Sequence, residues 1–262
     1  MEYTITTFCY GKKYEPIGEK WFERITNKCK NINCIIFNNI NIMLKYGFGY
    51  AWWDVVRLYN NLEIIVKTNK PVVHIDVDLI IEKDIKPLID LPYDLIVSKE
   101  IGGDEAYPKE CSKIVGFGIC SGFYIIKPSA YNFMAKLYDI MNNNSINYSD
   151  QVNLMNYIVN NNYKIKDEKI IIDGVKYINK IIKIDDIKIC VLDFNIIVRD
   201  PVSNIGQFGN HINIDNVGGT DNFLKYFDNN LENLPLTCRC GRKDLGDNNT
   251  FCKHIELRKN IK

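Results

Sequence analysis

Apolar and polar positions alternate in some segments of this chain and recur with helical spacing in others. Residues 3–9 (YTITTFC) alternate and are rich in β-formers, residues 18–30 have helical spacing, and residues 33–38 (NCIIFN) form a short apolar run. The chain therefore opens with a predicted strand, a helix and a second strand. Residues 49–62 then predict an amphipathic helix, and residues 71–81 (PVVHIDVDLII) predict an apolar strand.

Strands and helices continue to alternate through the rest of the chain. The later elements are predicted strands over 94–98, 113–128 and 187–193, and predicted helices over 128–141, 149–161 and 220–231. Ser149 is a candidate N-cap, and Pro128 stands near a predicted helix start, where proline is favoured. This order predicts an α/β domain whose mixed, mainly parallel sheet is covered by helices, with ligands outside the carboxyl ends of its strands.

Composition and charge narrow the class of protein. With 46% hydrophobic residues the chain can build a sizeable core, and its net charge of +1 gives no overall attraction to nucleic acid, so no nucleic-acid partner is expected. The first twenty residues lack the apolar stretch of a signal peptide, and no run reaches the ~18 apolar residues of a transmembrane segment. Nine cysteines, mostly in apolar runs, indicate reduced thiols, so we expect a cytoplasmic protein.

Two carboxylates stand at the end of the predicted apolar strand 71–81. Asp76 and Asp78 are two residues apart, and such residues point the same way from an extended chain. Their repulsion costs about 1–4 kcal/mol unless a cation lies between them. Hard cations such as Mn²⁺ or Mg²⁺ prefer carboxylates together with phosphate oxygens, so the pair predicts a metal bridge to a diphosphate. A D-x-D also occurs by chance, with both carboxylates merely solvated.

Several segments together resemble one enzyme family. In chain order they are TITTFCY (4–10), the helix carrying Tyr50, Trp53 and Arg57, HIDVDL (74–79), CSGFYIIKPS (120–129), SDQVNL (149–154) and GNH (209–211). The ordered set resembles nucleotide-sugar glycosyltransferases of the GT-A fold with a D-x-D motif, similar to the glycogenin-like retaining enzymes. The resemblance implies a GT-A domain with a Rossmann-like sheet.

The resemblance also implies roles for individual residues. Asp76, Asp78 and His211 would hold Mn²⁺ or Mg²⁺, and Asp78, Asp150 and Gln151 would be catalytic, the last two contacting donor-sugar hydroxyls. The residues implied against the nucleotide sugar are Thr7, Tyr10, Tyr50, Arg57, Asp76, Ser121 and Gly122. The chain departs from the family after His211, where it reads HINIDN and lacks the family's Lys-Pro-Trp.

Each of these roles has a plainer alternative. Asp150 could simply favour the N-terminus of its helix, and Gly122 could mark a bulge in a buried strand. The stripe of Tyr50 and Trp53 could be core, whereas Arg57 at the same helical spacing needs a carboxylate or a diphosphate as its partner.

The expected function is metal-dependent transfer of a sugar from a UDP-sugar to a hydroxyl of a glycan or protein, with retention. An inverting enzyme would need a base, for which Asp104, Glu105 and Glu100 are candidates. A catalytically silent nucleotide-sugar-binding scaffold is a second hypothesis. A nucleotidyltransferase is a third, although TFCYGKKYEP is a poor phosphate loop.

The C-terminal residues differ in composition from the rest. We expect the glycosyltransferase domain over 1–235 and a basic tail rich in Cys and His over 236–262. Cys238, Cys240, Cys252 and His254 form a complete ligand set for a structural Zn²⁺ ion. The C-x-C spacing is less typical than C-x₂-C, so reactive thiols or one disulfide in a disordered tail are the alternatives.

Overall fold

Strands and helices alternate along the residues that the computed structural model describes, which are 2–11, 13–38, 52–143, 147–199, 206–212, 214 and 219–228. The strands are β1 (Tyr3–Phe8), β2 (Ile32–Phe37), β3 (Val72–Ile75), β4 (Leu79–Ile81), β5 (Leu95–Lys99), β6 (Ile119–Ile126), β7 (Tyr163–Ile172), β8 (Val175–Ile184), β9 (Ile187–Val191), β10 (Ile197–Arg199) and β11 (Gly209–His211). The helices are α1 (Glu15–Lys28), α2 (Trp52–Thr68), α3 (Lys86–Ile89), α4 (Lys109–Val115), α5 (Tyr131–Asn143), α6 (Asp150–Asn160) and α7 (Thr220–Asp228), with 3₁₀ turns at Gly103–Glu105 and Pro128–Ala130.

Eight of the strands form one mixed sheet in the order β2-β1-β3-β6-β5-β9-β8-β7. The pairs β1/β2, β1/β3 and β5/β9 are parallel, and the other four are antiparallel. A second sheet has the order β10-β11-β4. The predicted α/β class with a mixed sheet is therefore confirmed, and the parallel strands β1 and β3 end at the same edge.

Apolar side chains cover both faces of the large sheet. On one face, Trp21 of α1 and Phe223 of α7 pack with Val73. On the other, helices α2, α5 and α6 pack with Val72. Because Val72 and Val73 are successive residues of β3, their side chains point to opposite faces. Complete burial of each such side chain contributes about 1.5–3 kcal/mol to the free energy of unfolding. The helices on both faces therefore stabilise the position of the sheet.

The predicted strand 71–81 is wrong as one continuous element. The chain leaves the large sheet after Ile75, turns through Asp76, Val77 and Asp78, and enters the second sheet at Leu79. We call residues 76–78 the acidic turn. The Asp76 N–H donates to Gly122 O at 2.8 Å and the Leu79 N–H to Asp76 O at 2.9 Å, so the backbone is pulled out of an extended path. The extended geometry expected for the two carboxylates therefore does not apply.

The predicted strand 113–128 is also wrong in its first part. Residues up to Val115 form α4, and the strand begins only at Ile119. Gly116 separates the two elements because its φ of 82° lies in the left-handed region that ends helices. In contrast, α6 begins as predicted, since the Ser149 hydroxyl accepts the Val152 N–H at 3.5 Å as an N-cap.

The hairpin of β7 and β8 has no counterpart among the predicted elements. Its ten-residue strands pair antiparallel from Tyr163/Ile184 to Ile172/Val175. A local signal was present, because Asp173-Gly174 is a favoured hairpin turn between two segments rich in Ile. In the described part of the chain, no helix has the length and apolar character that crossing a bilayer requires.

Candidate active site

Three candidate metal ligands converge beside the acidic turn. The ligand atoms of Asp76, Asp78 and His211 lie within 4.8 Å of one another. His211 Nε2 is 3.0 Å from Asp78 Oδ1 and 3.7 Å from Asp76 Oδ2. The pairing of β11 with β4 places His211 opposite Leu79, which directly follows the turn. Two carboxylates and one imidazole fit a cation such as Mn²⁺ and leave coordination positions for substrate oxygens.

The charges of this cluster are set by its surroundings. Burial alone would raise the pKa of Asp76, but the Arg57 guanidinium and then His74 hold that pKa below the usual range of an aspartate. Burial alone would lower the pKa of His211, but the Asp78 carboxylate raises it well above its usual value. Asp76 and Asp78 are 29% and 18% exposed and His211 only 8%, so the carboxylates face the opening.

Arg57 of α2 joins the acidic turn to the start of α6. Its side chain is 4% exposed, and Nη1 donates to Asp76 Oδ1 at 2.9 Å. Nη2 donates to Asp150 Oδ2 at 2.7 Å and to Ser121 Oγ at 3.0 Å. These contacts make Arg57 a partner of protein carboxylates, which is one of the two alternatives that its sequence position left open.

Asp54 is a residue of this network that the sequence analysis missed. Its Oδ1 lies 3.2 Å from Arg57 Nη2, and its Oδ2 accepts the backbone N–H of Asp150 at 3.2 Å. Burial raises the pKa of Asp54, and the Arg57 guanidinium opposes that shift. We call Arg57 with Asp54, Asp76 and Asp150 the guanidinium cluster. The D-x-x-R spacing, which places Asp54 and Arg57 on one helical face, was the signal that could have revealed it.

His74 also supports the acidic turn and was not singled out from the sequence. Its Nε2 lies 2.9 Å from Asp76 Oδ1 and 3.1 Å from Arg57 Nη1. Burial and the Arg57 charge lower the pKa of His74, so the ring is neutral near neutral pH. The ring stacks on Tyr124 with centroids 5.0 Å apart, which fixes its plane.

Asp150 and Gln151 occupy the first turn of α6. Asp150 Oδ1 is buried, and no group in the described ranges donates a hydrogen bond to it, although Oδ2 is bound by Arg57. An unpaired buried carboxylate oxygen is costly, so this oxygen keeps an unused capacity to accept a hydrogen bond. Gln151 Nε2 donates to Tyr107 O at 2.8 Å and lies 3.5 Å from Glu100 Oε2.

Gly122 of β6 is required by the packing of the candidate ligands. A Cβ at this position would lie 2.3 Å from His211 Cε1 and 2.8 Å from Asp76 Oδ2. No real side chain fits at such distances, so only glycine allows His211 to approach the acidic turn. The placement of Gly122 against the nucleotide sugar stays a prediction, and the His211 ring fills the space that a Cβ would take.

A cavity of about 310 Å³ opens next to the acidic turn. It is lined by Phe8, Tyr10, Tyr14, Trp52, Trp53, Arg57, Asp76, Val77 and Asp78. Trp52 makes edge contacts with Phe8 and Tyr10, at centroid distances of 5.7 and 6.1 Å. An aromatic wall suits a ligand with a planar ring at one end, and the two carboxylates would accept an anionic end only through a bound cation.

The remaining predicted site residues are either buried without a described hydrogen-bond partner or lie outside the described residues. Thr7 is buried on β1, and its hydroxyl finds no hydrogen-bond partner among the residues with a described position. Tyr50 and the four candidate zinc ligands (Cys238, Cys240, Cys252 and His254) lie outside the described residues. The zinc site and the boundary at residue 235 therefore stay predictions.

The family model for nucleotide-diphospho-sugar transferases matches residues 56–213, which is more than half of the chain. The chain belongs to this family. The matched range runs from α2 to the residues just after His211, and so includes Arg57, the acidic turn and the start of α6. The predicted family and the prediction of a glycosyltransferase are therefore confirmed. No curated protein matches the chain.

Solved glycosyltransferase structures are similar to the chain at low identity. A glycosyltransferase involved in the glycosylation of the major capsid of PBCV-1 shares 15% identity over 54% of this chain and 67% of its own, with a TM-score of 0.42. GlyE of Streptococcus pneumoniae TIGR4 shares 14% identity over 61% of this chain and only 44% of its own, with a TM-score of 0.42. The galactosyltransferase LgtC, in complex with donor and acceptor sugar analogs, shares 12% identity over 86% of this chain and 95% of its own, with a TM-score of 0.49.

Proposed function

We propose that this glycosyltransferase moves a sugar from a UDP-sugar to a hydroxyl of a glycan or protein acceptor, with retention and with Mn²⁺ or Mg²⁺ as cofactor. The single observation that carries the proposal is the convergence of Asp76, Asp78 and His211 beside the cavity of about 310 Å³, whose wall is largely aromatic. Both carboxylates line the cavity, so a diphosphate bound there would reach them. UDP is proposed from the family resemblance.

The metal would be held by two carboxylate oxygens and His211 Nε2. When bound, a divalent cation acts as a Lewis acid that neutralises the departing nucleoside diphosphate. Arg57 and His74 both bind Asp76 Oδ1, and these two contacts would fix the orientation of the Asp76 carboxylate toward the metal site. The aromatic wall around Trp52 would bind the nucleobase and exclude water from the donor.

The start of α6 would bind the donor sugar. The unpaired Asp150 Oδ1 is an acceptor for a sugar hydroxyl, and its partner oxygen is anchored on Arg57. Gln151 is held through Nε2 by the Tyr107 carbonyl. Of the candidate bases for an inverting reaction, Glu105 is ion-paired with Lys109, and Glu100 Oε1 accepts the Ile101 N–H. These contacts engage two of the three candidate bases, and retention is proposed from the family resemblance.

Turnover of UDP- and GDP-sugars with Mn²⁺ or with EDTA tests the proposal. We expect hydrolysis or transfer of a UDP-sugar that requires the metal and that Asp78→Asn abolishes. Asp167→Asn, which changes an exposed aspartate of β7, is the matched control and should keep full activity. NMR of the product anomer checks retention. Turnover unaffected by EDTA would contradict the metal centre, and an inverted product would contradict retention.

A further inference from the structure

We propose that Cys120 is a positioning residue for the metal centre, whose thiol holds the Nδ1 side of the His211 imidazole so that Nε2 faces Asp76 and Asp78. The inference rests on the proposed function, because it assigns a role toward the proposed cation site. Cys120 lies on β6 and is 2% exposed.

The two ring nitrogens of His211 have different partners. Cys120 Sγ lies 3.6 Å from Nδ1, while Nε2 lies 3.0 Å from Asp78 Oδ1. A histidine that ligates a metal usually donates its other ring N–H to a fixed partner, which sets the tautomer and the ring orientation. Sulfur is a weak acceptor, but in a buried site no water competes with it. When the thiol accepts the Nδ1 N–H, the Nε2 lone pair is available to a cation.

Strand β6 shapes the space around the same ring edge. Cys120 and Gly122 lie two residues apart in β6, where the pairing with β5 is irregular, and both approach the His211 ring. A Cβ on Gly122 would lie 2.3 Å from His211 Cε1 and 2.6 Å from Nδ1, so the ring lies directly against the strand. Ser98 Oγ donates to the Cys120 carbonyl at 2.9 Å and fixes that part of the backbone. Gly122 lets the ring approach, and Cys120 binds its nitrogen.

The surroundings of Cys120 distinguish it from another buried thiol of the same sheet. Cys190 of β9 packs within the apolar cluster that covers one sheet face. Cys120 belongs to neither apolar cluster, and its sulfur lies next to an imidazole. A purely hydrophobic role therefore explains Cys190 better than it explains Cys120.

A titration of the full chain with Mn²⁺, in which the EPR signal of the free ion is measured, tests the inference without any substrate. We expect Cys120→Ala to weaken Mn²⁺ binding about 10-fold, the lower end of the usual cost of losing such a partner. Cys120→Ser should retain most of the affinity, because a hydroxyl also accepts a hydrogen bond. Cys190→Ala removes an equally buried thiol and should leave Mn²⁺ affinity unchanged. Melting temperatures show whether each variant is folded.

A second background separates a role through His211 from a general effect on folding. In His211→Ala, whose two carboxylates still bind Mn²⁺ weakly, adding Cys120→Ala should cause no further loss of affinity. An equal loss in both backgrounds, or unchanged affinity of Cys120→Ala in the wild-type background, would overturn the inference. Wild-type protein that binds no Mn²⁺ would contradict the proposed metal centre as well. Binding that is lost in Asp78→Asn but kept in Cys120→Ala contradicts the role of Cys120 alone.

Discussion

Two groups of charged side chains, one in the β7–β8 hairpin and one in the guanidinium cluster, differ in how far they are exposed to solvent. In the β7–β8 hairpin, Lys166 pairs with Glu168 and Lys180 with Asp167 on the surface. In the guanidinium cluster, three carboxylates from two helices and the acidic turn meet one buried arginine. The hairpin pairs are screened by water, whereas the cluster is strongly coupled because little water reaches it.

The difference indicates where charge serves folding and where it serves chemistry. The cluster and the candidate ligands combine four carboxylates with Arg57 and His211, an excess of negative charge that folding alone would not favour. The hairpin instead carries its ion pairs at the surface and even leaves Ile171 71% exposed. The proposed cation would offset this excess of negative charge, which the hairpin does not share.

The largest effect is expected on activity from loss of a metal ligand. Asp78→Asn should lower the metal-dependent turnover by at least about 100-fold, because several kcal/mol of charge stabilisation is removed from the departing diphosphate. The variant should remain folded, since Asp78 is partly exposed and its removal relieves repulsion from Asp76. Kinetics measure the loss of turnover, and thermal melting measures whether the variant is folded. A much lower melting temperature of Asp78→Asn would contradict a purely chemical role.

The next effect is expected on stability from removal of the buried arginine. Arg57→Ala leaves three carboxylates without their shared guanidinium and should lower the free energy of unfolding by about 3–5 kcal/mol. Urea unfolding measures the loss. Arg57→Lys is the matched variant, and it should recover part of the stability, because an ammonium keeps the charge but lacks the planar fork. Equal stability of wild type and Arg57→Ala would show that the cluster is not coupled.

A smaller and more selective effect is expected at Asp54. One of its oxygens is ion-paired with Arg57 and the other accepts the Asp150 N–H, and an asparagine is uncharged and has only one acceptor oxygen. Asp54→Asn should therefore weaken binding of a UDP-sugar by about 10-fold, an expected loss of about 1.4 kcal/mol. Binding of UDP should change little, since Asp150 is proposed to contact the sugar. Calorimetry with both ligands checks this, and equal weakening of both would point to general loosening.

The smallest effect is expected in the hairpin. Lys180→Ala removes a surface pair with Asp167 and should change the free energy of unfolding by no more than about 1 kcal/mol. Activity should be unchanged, because the pair lies on β7 and β8, away from the acidic turn. Urea unfolding and UDP-sugar turnover measure both quantities. A clear loss of UDP-sugar turnover in Lys180→Ala would remove the distinction between the two regions.

The sequence alone determined the features that depend on local patterns. Apolar periodicity predicted most strands and helices, Ser149 was identified as an N-cap, and the ordered motifs indicated the correct family. Local patterns were insufficient where a backbone turn interrupts an apolar run, as at the acidic turn. They were also insufficient for α4, whose end depends on the left-handed conformation of Gly116.

Only the tertiary structure decided how the site is assembled. Asp78 and His211 are 133 positions apart, and the pairing of β4 with β11 brings them within 3.0 Å. Arg57 and Asp150 are 93 positions apart and meet where α2 packs near the start of α6. The space at Gly122 is filled by the same long-range packing. Residue types determine which contacts are chemically favourable, but strand pairing and helix packing determine which of them form.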